Sequence, residues 1–591
     1  MRYLAPGPTG LSSPRVRTLG AKEAMALRLY FNRRLDPAHP RSRVDKVCLI
    51  LARGCLRIPI AENMKESQSL SVGHSGARNV RSTVARIDRG TRLIEQRLSG
   101  ILFHISSLPG RFGIGDLGSS AYEFVDFLSA SGQSLWSVLP LNAVLERPDF
   151  CPYSPISAFA TNSLLISPEK LLERGFLEPG DLEQYPSLPN ELVDFHKVVI
   201  AKWKLLRQAF ERFRMKADEA EKEAFRRFCD SKTWLPGYAT YVTRSPLNGK
   251  VYRGEWKRGS DVTSSNLSNE LDKQVVSFGQ FVFFEQWKCL KHYANNKGIY
   301  IAGDIPYNVA FESCDLWESP QLFEVDPITG KTKLEAGAPP DEFVPKGQGW
   351  GNPTYAWSVH QQDGFKWWRT RIAENGALYD AIRLDHFRGF EAFWAIPAGS
   401  KGSTDGYFVR GPGRAFFEAI RESASSAEIF VEDLGFITDE VHALRESLGL
   451  PGMSVLQLAF SGQKDHPYLP YKCLPTTVIY TETHDLKPMV GWFRDLNPSL
   501  RKEVEEYLGV PVTERNVHWE FVRLALSSVA RWALIPVQDL LGLGNEARMN
   551  ITGVLSPENW RWRLTSIKSL DSVSEQLFNL TQVYGRLPVW R

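Results

Sequence analysis

The stretch AIRLDHFRGF, residues 381–390, opens like a buried strand and closes in charge, with Arg383, Asp385, His386 and Arg388 packed into six residues. A core strand tolerates such an ending when its body fills the interior and its C-terminal end opens into a polar cleft, where the charges can pair. The reading of the fold turns on whether other strands of this chain end the same way.

They do. From residue 100 onward, short apolar, β-branched runs alternate with amphipathic helical stretches. The runs are ILFHI (101–105), SLWSVLPL (134–141), IYIAGDIP (299–306), YDAIRLD (379–385), EIFVEDL (428–434), MSVLQLAF (453–460), TVIYTETHD (477–485) and ALIPVQDLL (533–541). Helices are predicted over 121–132, 365–376 and 438–449, the last with Thr438 as N-cap and Gly449 as stop. Strand and helix in strict turn mean a parallel sheet, and eight repeats favour an α/β fold of the (β/α)8 TIM-barrel type.

The spacing predicts insertions. About 157 residues separate the second and third runs, so a large inserted subdomain is expected after strand 2, at about 150–278. It holds charged helices (KWKLLRQAFERFR, EAEKEAFRRFC) and the turn-rich SPLNGKVYRGEWKRGSD. A second insertion, 307–360, follows strand 3. No internal repeat or low-complexity tract is visible.

In such barrels the working residues sit at the C-terminal ends of strands. Those ends supply Asp304, Asp385, Glu432, Asp433, His484 and Asp485. Carboxylates converging from separate strands suit glycoside chemistry: one acid protonates the leaving oxygen, and one carboxylate attacks or activates water. A third can stabilise the oxocarbenium-like transition state. Aromatic residues make up 12% of the chain, with 17 Trp. Tyr153, Trp350, Tyr355 and Trp357 fall in predicted loops, where aromatic planes suit the C–H faces of sugars. The glycines of GQGWGNPTYAW (347–357) argue against a buried helix or strand there. A competing signal is GIGDLG (113–118), which fits G-x-G-x-x-G between a strand and a helix. The acid that a dinucleotide site needs after the next strand is missing, which argues against a nicotinamide oxidoreductase.

Composition narrows the class. At 591 residues, 43% hydrophobic and 23% charged, the chain has the make-up of a soluble globular protein. No apolar run approaches the roughly 20 residues of a membrane span. Seven dispersed cysteines, without C-x-x-C or His at ligand spacing, argue for reduced thiols and against a zinc site. Net charge is +4, but residues 1–98 hold 19 Lys/Arg against 7 Asp/Glu, leaving 52 against 60 in the body. The body is thus mildly acidic, which speaks against nucleic-acid binding. The Arg- and Ser-rich residues 1–98 read as a targeting or disordered extension ahead of a catalytic domain at 99–591.

Several stretches together carry a family resemblance: SLPGRFGIGDLG (107–118), GDIPYNVAFESCDLW (303–317), GAPPDEF with GQGWGNPTY (337–355), RLDHFRGFEAFW (383–394), VEDLGFIT (431–438), GLPGMSVLQLAF (449–460) and NEARMN (545–550). From about Gly100 to Trp562 the chain resembles the 4-α-glucanotransferases of glycoside hydrolase family 77, the amylomaltases or disproportionating enzymes. The resemblance implies a (β/α)8 barrel with no C-terminal β-domain. It implies Asp385 as nucleophile, Glu432 as general acid/base and Asp485 as transition-state stabiliser. It places Arg383, His386 and His484 around the cleaved sugar, with Tyr153, Asp304, Asp341, Gln348, Trp350 and Asn550 along the glucan.

The implied reaction is retaining transfer of α-1,4-glucan segments from maltooligosaccharides or starch to the 4-hydroxyl of another glucan or glucose, with no metal or organic cofactor and no membrane partner. Alternatives are an α-glucan hydrolase and a glucan-binding protein whose catalysis has lapsed. The leader on this body implies a plastid; cytosol and mitochondrion are the other compartments. The chain departs from the family pattern in TETHDLKP (481–488), where T-G-T-H-D-N-D/E-T is usual, in Phe150 and Cys151 before Tyr153, and in Glu312 where Asp is customary.

Overall fold

The computed structural model describes residues 93–144, 150–244, 266–326, 329–340, 344–424 and 427–588. The leader through residue 92, all of SPLNGKVYRGEWKRGSD and Asp341 lie outside the described residues. Strands run β1 (Leu98–Leu102), β2 (Leu135–Ser137), β3 (Tyr300–Ile305), β4 (Leu334–Ala338), β5 (Gln348–Pro353), β6 (Ala381–Leu384), β7 (Ala392–Pro397), β8 (Tyr407–Arg410), β9 (Glu428–Val431), β10 (Gly452–Val455), β11 (Thr477–Tyr480) and β12 (Trp532–Pro536).

Each of the eight apolar runs contributes one strand to a single parallel sheet, ordered β10-β11-β12-β1-β2-β3-β6-β9. Its end strands meet where the Val431 N–H donates to the Pro451 carbonyl at 2.9 Å, bringing the barrel nearly closed. These strands are buried on both faces, which is why they read as continuous apolar runs instead of alternating ones. Inside, Phe430 of β9 meets Trp532 of β12 edge to face at 5.7 Å, so side chains fill the barrel. Each fully buried aliphatic or Phe side chain contributes about 1.5–3 kcal/mol. Gly303 in β3 is required by space: a Cβ there would lie 2.3 Å from the ring of Tyr379.

The strands are shorter than the runs. QLAF and VQDLL leave the sheet as a 3-10 turn (Leu456–Ala459) and a short helix (Val537–Leu540). The predicted helices are present at Ser119–Ala130, Lys366–Leu378 and Asp439–Leu448. The last is flanked by Thr438 in extended conformation and stopped by Gly449 at φ 64°.

The insertion after β2 is helical, including Phe195–Lys216 and Glu219–Ser231, and the long helix Asn266–Asn296 leads into β3. The insertion after β3 carries strands. Its β4 and β5 join β7 and β8, from the segment after β6, in an antiparallel sheet ordered β5-β4-β7-β8. Residues 348–353 are thus a strand despite their glycines. They can be, because β5 is an edge strand, half-exposed over most of its length. Tyr355 and Trp357, which the sequence puts in loops, are core residues packed on Trp368. Among the described residues no strand follows β12, and no helix is long and apolar enough to cross a membrane.

Candidate active site

The site is assembled where β3, β6, β9 and β11 end. Asp304 and Arg383 are register partners on β3 and β6. The ladder continues past the strand ends: the Asp385 N–H donates to the Ile305 carbonyl (3.1 Å) and the Glu432 N–H to the Leu384 carbonyl (2.9 Å). Asp385 and Glu432 therefore follow the last residues of neighbouring strands, whose spacing is about 4.8 Å.

From there one chain of contacts crosses the barrel mouth. Arg383 Nη1 lies 2.8 Å from Asp385 Oδ1 and 2.7 Å from Asp304 Oδ2. The Tyr153 hydroxyl donates to Asp304 Oδ2 at 2.7 Å. The Tyr153 ring stacks on His484, with centroids 4.9 Å apart and planes within 10°. His484 Nε2 lies 3.3 Å from Asp485 Oδ2. On the other side, the His386 and Leu434 N–H groups donate to the two Glu432 carboxyl oxygens at 2.8 and 2.7 Å. Asp385, Glu432 and Asp485, though 100 residues apart from first to last, are thus joined through four intervening side chains and one backbone N–H.

The three acids sit in different fields. Burial and the neighbouring Asp385 charge raise the Glu432 carboxyl well above the usual carboxylate range, against the pull of Arg383 and the two N–H donors. For Asp485, burial works upward but is outweighed by His484, the Asn550 amide at 2.6 Å and Arg383, so it is held well below the usual range. Burial also works against the charge of Arg383, but Asp304 and Asp385 on either side hold it protonated. His386 is kept neutral, its pKa lowered by burial to about 4 with Asp385 opposing. Its Nε2 has no hydrogen-bond partner among the described residues, and its ring meets the edge of Trp350 at 4.9 Å.

The other expected residues divide. Gln348 and Trp350 sit on β5, with Trp350 Nε1 donating to Gln348 Oε1 at 3.2 Å. Asp304 is only 3% exposed and lies beneath Arg383. Asn550 holds Asp485. Asp433, a strand-end acid in the sequence, turns away from the mouth: it pairs with Arg445 (3.1 Å) and accepts from the Met453 N–H (2.7 Å), bracing β9 against β10. GIGDLG also carries no phosphate cradle, because Asp116 Oδ1 already accepts from the Gly118 N–H at the helix start and Asp116 pairs with buried Lys202.

Residues that sequence reasoning missed complete the wall. Trp560 packs on both Tyr153 and His484 at 5.7 Å. Arg548 Nη2 and Thr552 Oγ1 donate to the Asp485 main-chain carbonyl at 2.9 and 2.6 Å. Of four non-glycine residues at positive φ among those described, His386 and Trp560 belong to this site, as strained backbone often does. That signal exists only in three dimensions. The departures from the family pattern are accommodated: Phe150 is buried and stacked on Phe195 (4.5 Å), the Glu312 side chain is buried, and Lys487 pairs with Asp495 at 2.6 Å.

The family model described as 4-alpha-glucanotransferase matches residues 103–569. The 4-alpha-glucanotransferase of Synechocystis sp. is 40% identical over 503 residues, covering 84% of this chain and 99% of its own length. The chloroplastic/amyloplastic 4-alpha-glucanotransferase of Solanum tuberosum is 37% identical over 506 residues, covering 83% and 87%. Among solved structures, the amylomaltase of Streptococcus agalactiae in complex with acarbose superposes with a TM-score of 0.77 at 30% identity, covering 83% of this chain and all of that one. With its nearly closed barrel and this match along almost the whole of it, the chain belongs to glycoside hydrolase family 77, the 4-α-glucanotransferases.

Proposed function

We propose that the chain carries out the transfer of α-1,4-glucan segments between maltooligosaccharide or starch chains with Asp385 as nucleophile, Glu432 as general acid/base and Asp485 as electrostatic stabiliser. The contact chain from Asp385 through Arg383, Asp304, Tyr153 and His484 to Asp485, with the His386 N–H next to Asp385 donating to Glu432, supports this reading.

The first half-reaction forms the Asp385–C1 ester bond as the glycosidic C1–O bond breaks, and the Glu432 proton goes to the departing 4-oxygen. The electrostatics suit both halves. While Asp385 is ionised, its charge helps keep Glu432 protonated, ready as acid. Once Asp385 is esterified that charge is gone, Glu432 yields its proton more easily, and it can accept one from the incoming 4-hydroxyl. Asp485, held anionic, faces the oxocarbenium-like transition state in both directions.

Transfer outcompetes hydrolysis only if water is kept from the ester. The loop at Gly553 approaches the opposite side of the mouth closely: a Cβ there would lie 3.4 Å from Val344 and 3.7 Å from Gln348. Trp350, half-buried on β5, offers an apolar plane for a sugar ring. Some plant relatives are chloroplastic or amyloplastic, and with the basic, Ser-rich leader this supports a plastid location; a fusion of residues 1–98 to a fluorescent protein that stays cytosolic overturns it.

The roles are tested by trapping. Glu432→Gln incubated with maltotriosyl fluoride, whose leaving group needs no acid, accumulates a glycosyl ester, and peptide mass spectrometry should find it on Asp385. A label on another carboxylate refutes the assignment. Maltotriose as sole substrate should give longer oligomers beside glucose; glucose and maltose alone would mark a hydrolase.

A further inference from the structure

Glu482 lies just past the end of β11, two residues before His484, and is 3% exposed. Its Oε2 has no hydrogen-bond partner among the described residues, which is costly for a buried carboxyl. With His104, Ser107, His484, Gln538 and Arg548 it lines a cavity of about 20 Å³ behind the catalytic mouth. That is room for one water molecule, with enough polar neighbours to hold it. His104 Nδ1 is also unpartnered, and burial, with His484 nearby, lowers this ring's pKa to about 3.

Arg548 connects this cavity to the reacting centre. Its guanidinium donates to the carbonyls of Asp485 (2.9 Å) and Asn550 (2.6 Å), while the Asn550 amide donates to the Asp485 carboxylate (2.6 Å). We propose that Glu482, bridged through one water in this cavity, is a positioning residue that steadies Arg548 and His484 and through them sets the Asp485 carboxylate.

The charge balance supports a neutral Glu482. The charged or titratable groups around it are Asp539 from the short helix after β12, Asp485 and His484 from its own loop, Arg548, and His104 from the loop after β1. Burial first, then Asp539, raises its affinity for a proton, with Arg548 opposing. In the acid form it satisfies the cavity and leaves Arg548 on the two carbonyls. An ionised Glu482 would compete with those carbonyls for the guanidinium and repel Asp485.

This inference rests on the role assigned to Asp485, so Asp485→Asn is assayed beside it. With maltotriose, Glu482→Ala should lower kcat by about tenfold or more with KM changed less, as expected when a catalytic group is displaced slightly. Glu482→Gln, of the same shape and uncharged, should restore most of kcat. Because Glu482 must stay protonated, the alkaline fall of kcat in the parent should involve one more proton than in Glu482→Gln. Melting temperatures identify the range where every variant is folded, and kcat is compared there. Parental kcat in Glu482→Ala, or a Glu482→Gln as slow as Glu482→Ala, or an identical alkaline limb, overturns the inference. If Asp485→Asn is itself fully active, the assignment beneath it fails instead.

Discussion

A single nitrogen of Arg383, Nη1, touches both Asp304, at 2.7 Å, and Asp385, at 2.8 Å. Arg383 and Asp304 have side chains only 8% and 4% exposed, so the guanidinium neutralises a carboxylate that could not stay ionised alone in the core while aiming another at the substrate.

Breaking this arrangement should therefore harm both stability and catalysis. Arg383→Ala leaves Asp304 buried without its counter-charge, a change that typically costs about 3–5 kcal/mol. Urea unfolding should register that loss, and transfer from maltotriose should be abolished. A stable, inactive variant would mean that Asp304 is neutral without Arg383.

The coupling between Asp385 and Glu432 predicts a direction of titration. The negative charge of Asp385 helps raise Glu432, so Asp385→Asn should bring the Glu432 carboxyl down toward the ordinary value of about 4.3. Carbon-detected NMR of labelled Glu432 reads this directly, and an unchanged or higher midpoint contradicts the account. In the parent, kcat/KM should fall as pH rises through the elevated Glu432 value, because the acid is lost.

Tyr153 has two separable roles. Tyr153→Phe keeps the ring on His484 and removes only the hydrogen bond to Asp304, so it should cost about 1.5–3 kcal/mol of stability, as for a bond to a charged group. Tyr153→Ala also removes the stack, and KM for maltotriose should rise further than in the Phe variant. Equal KM values in the two would show that the ring plane makes no contribution to binding.

Arg586 makes a prediction far from the site. Fully buried, it donates to the carbonyls of Leu98 (2.8 Å), Leu526 (2.7 Å), Ala530 (3.0 Å) and Arg531 (3.0 Å), tying the C-terminal segment to the entry of β1 and the turn before β12. Replacing it with Ala removes these donors; the Leu526 and Ala530 carbonyls keep Arg97 and the Arg531 carbonyl keeps the Leu98 N–H, so the lost hydrogen bonding should cost about 1–3 kcal/mol in all. The melting temperature should drop by several degrees while kcat per folded molecule at low temperature is unchanged.

Local chemistry made the barrel legible. Strands buried on both faces must be apolar throughout, so eight runs such as IYIAGDIP and TVIYTETHD announced themselves without any partner being known, and their charged ends marked the mouth. The sheet β5-β4-β7-β8 was hidden because its strands are short, β4 and β5 are glycine-containing and partly exposed, and its central pair joins distant stretches of chain, from Leu334 with Pro397 to Gly337 with Trp394.

What the sequence alone determined is the number of barrel strands, their shared direction and the acids at their ends, since these follow from burial period and from where polarity is tolerated. Tertiary structure alone decided that Asp433 turns to Arg445 while Glu432 faces the mouth, that Tyr355 and Trp357 enter the core while Tyr153 and Trp560 frame the site, and that Glu482 is sealed behind Asp485. Side-chain direction and the field at each carboxyl depend on neighbours brought from distant positions, and the energies that set them exist only once the barrel has assembled.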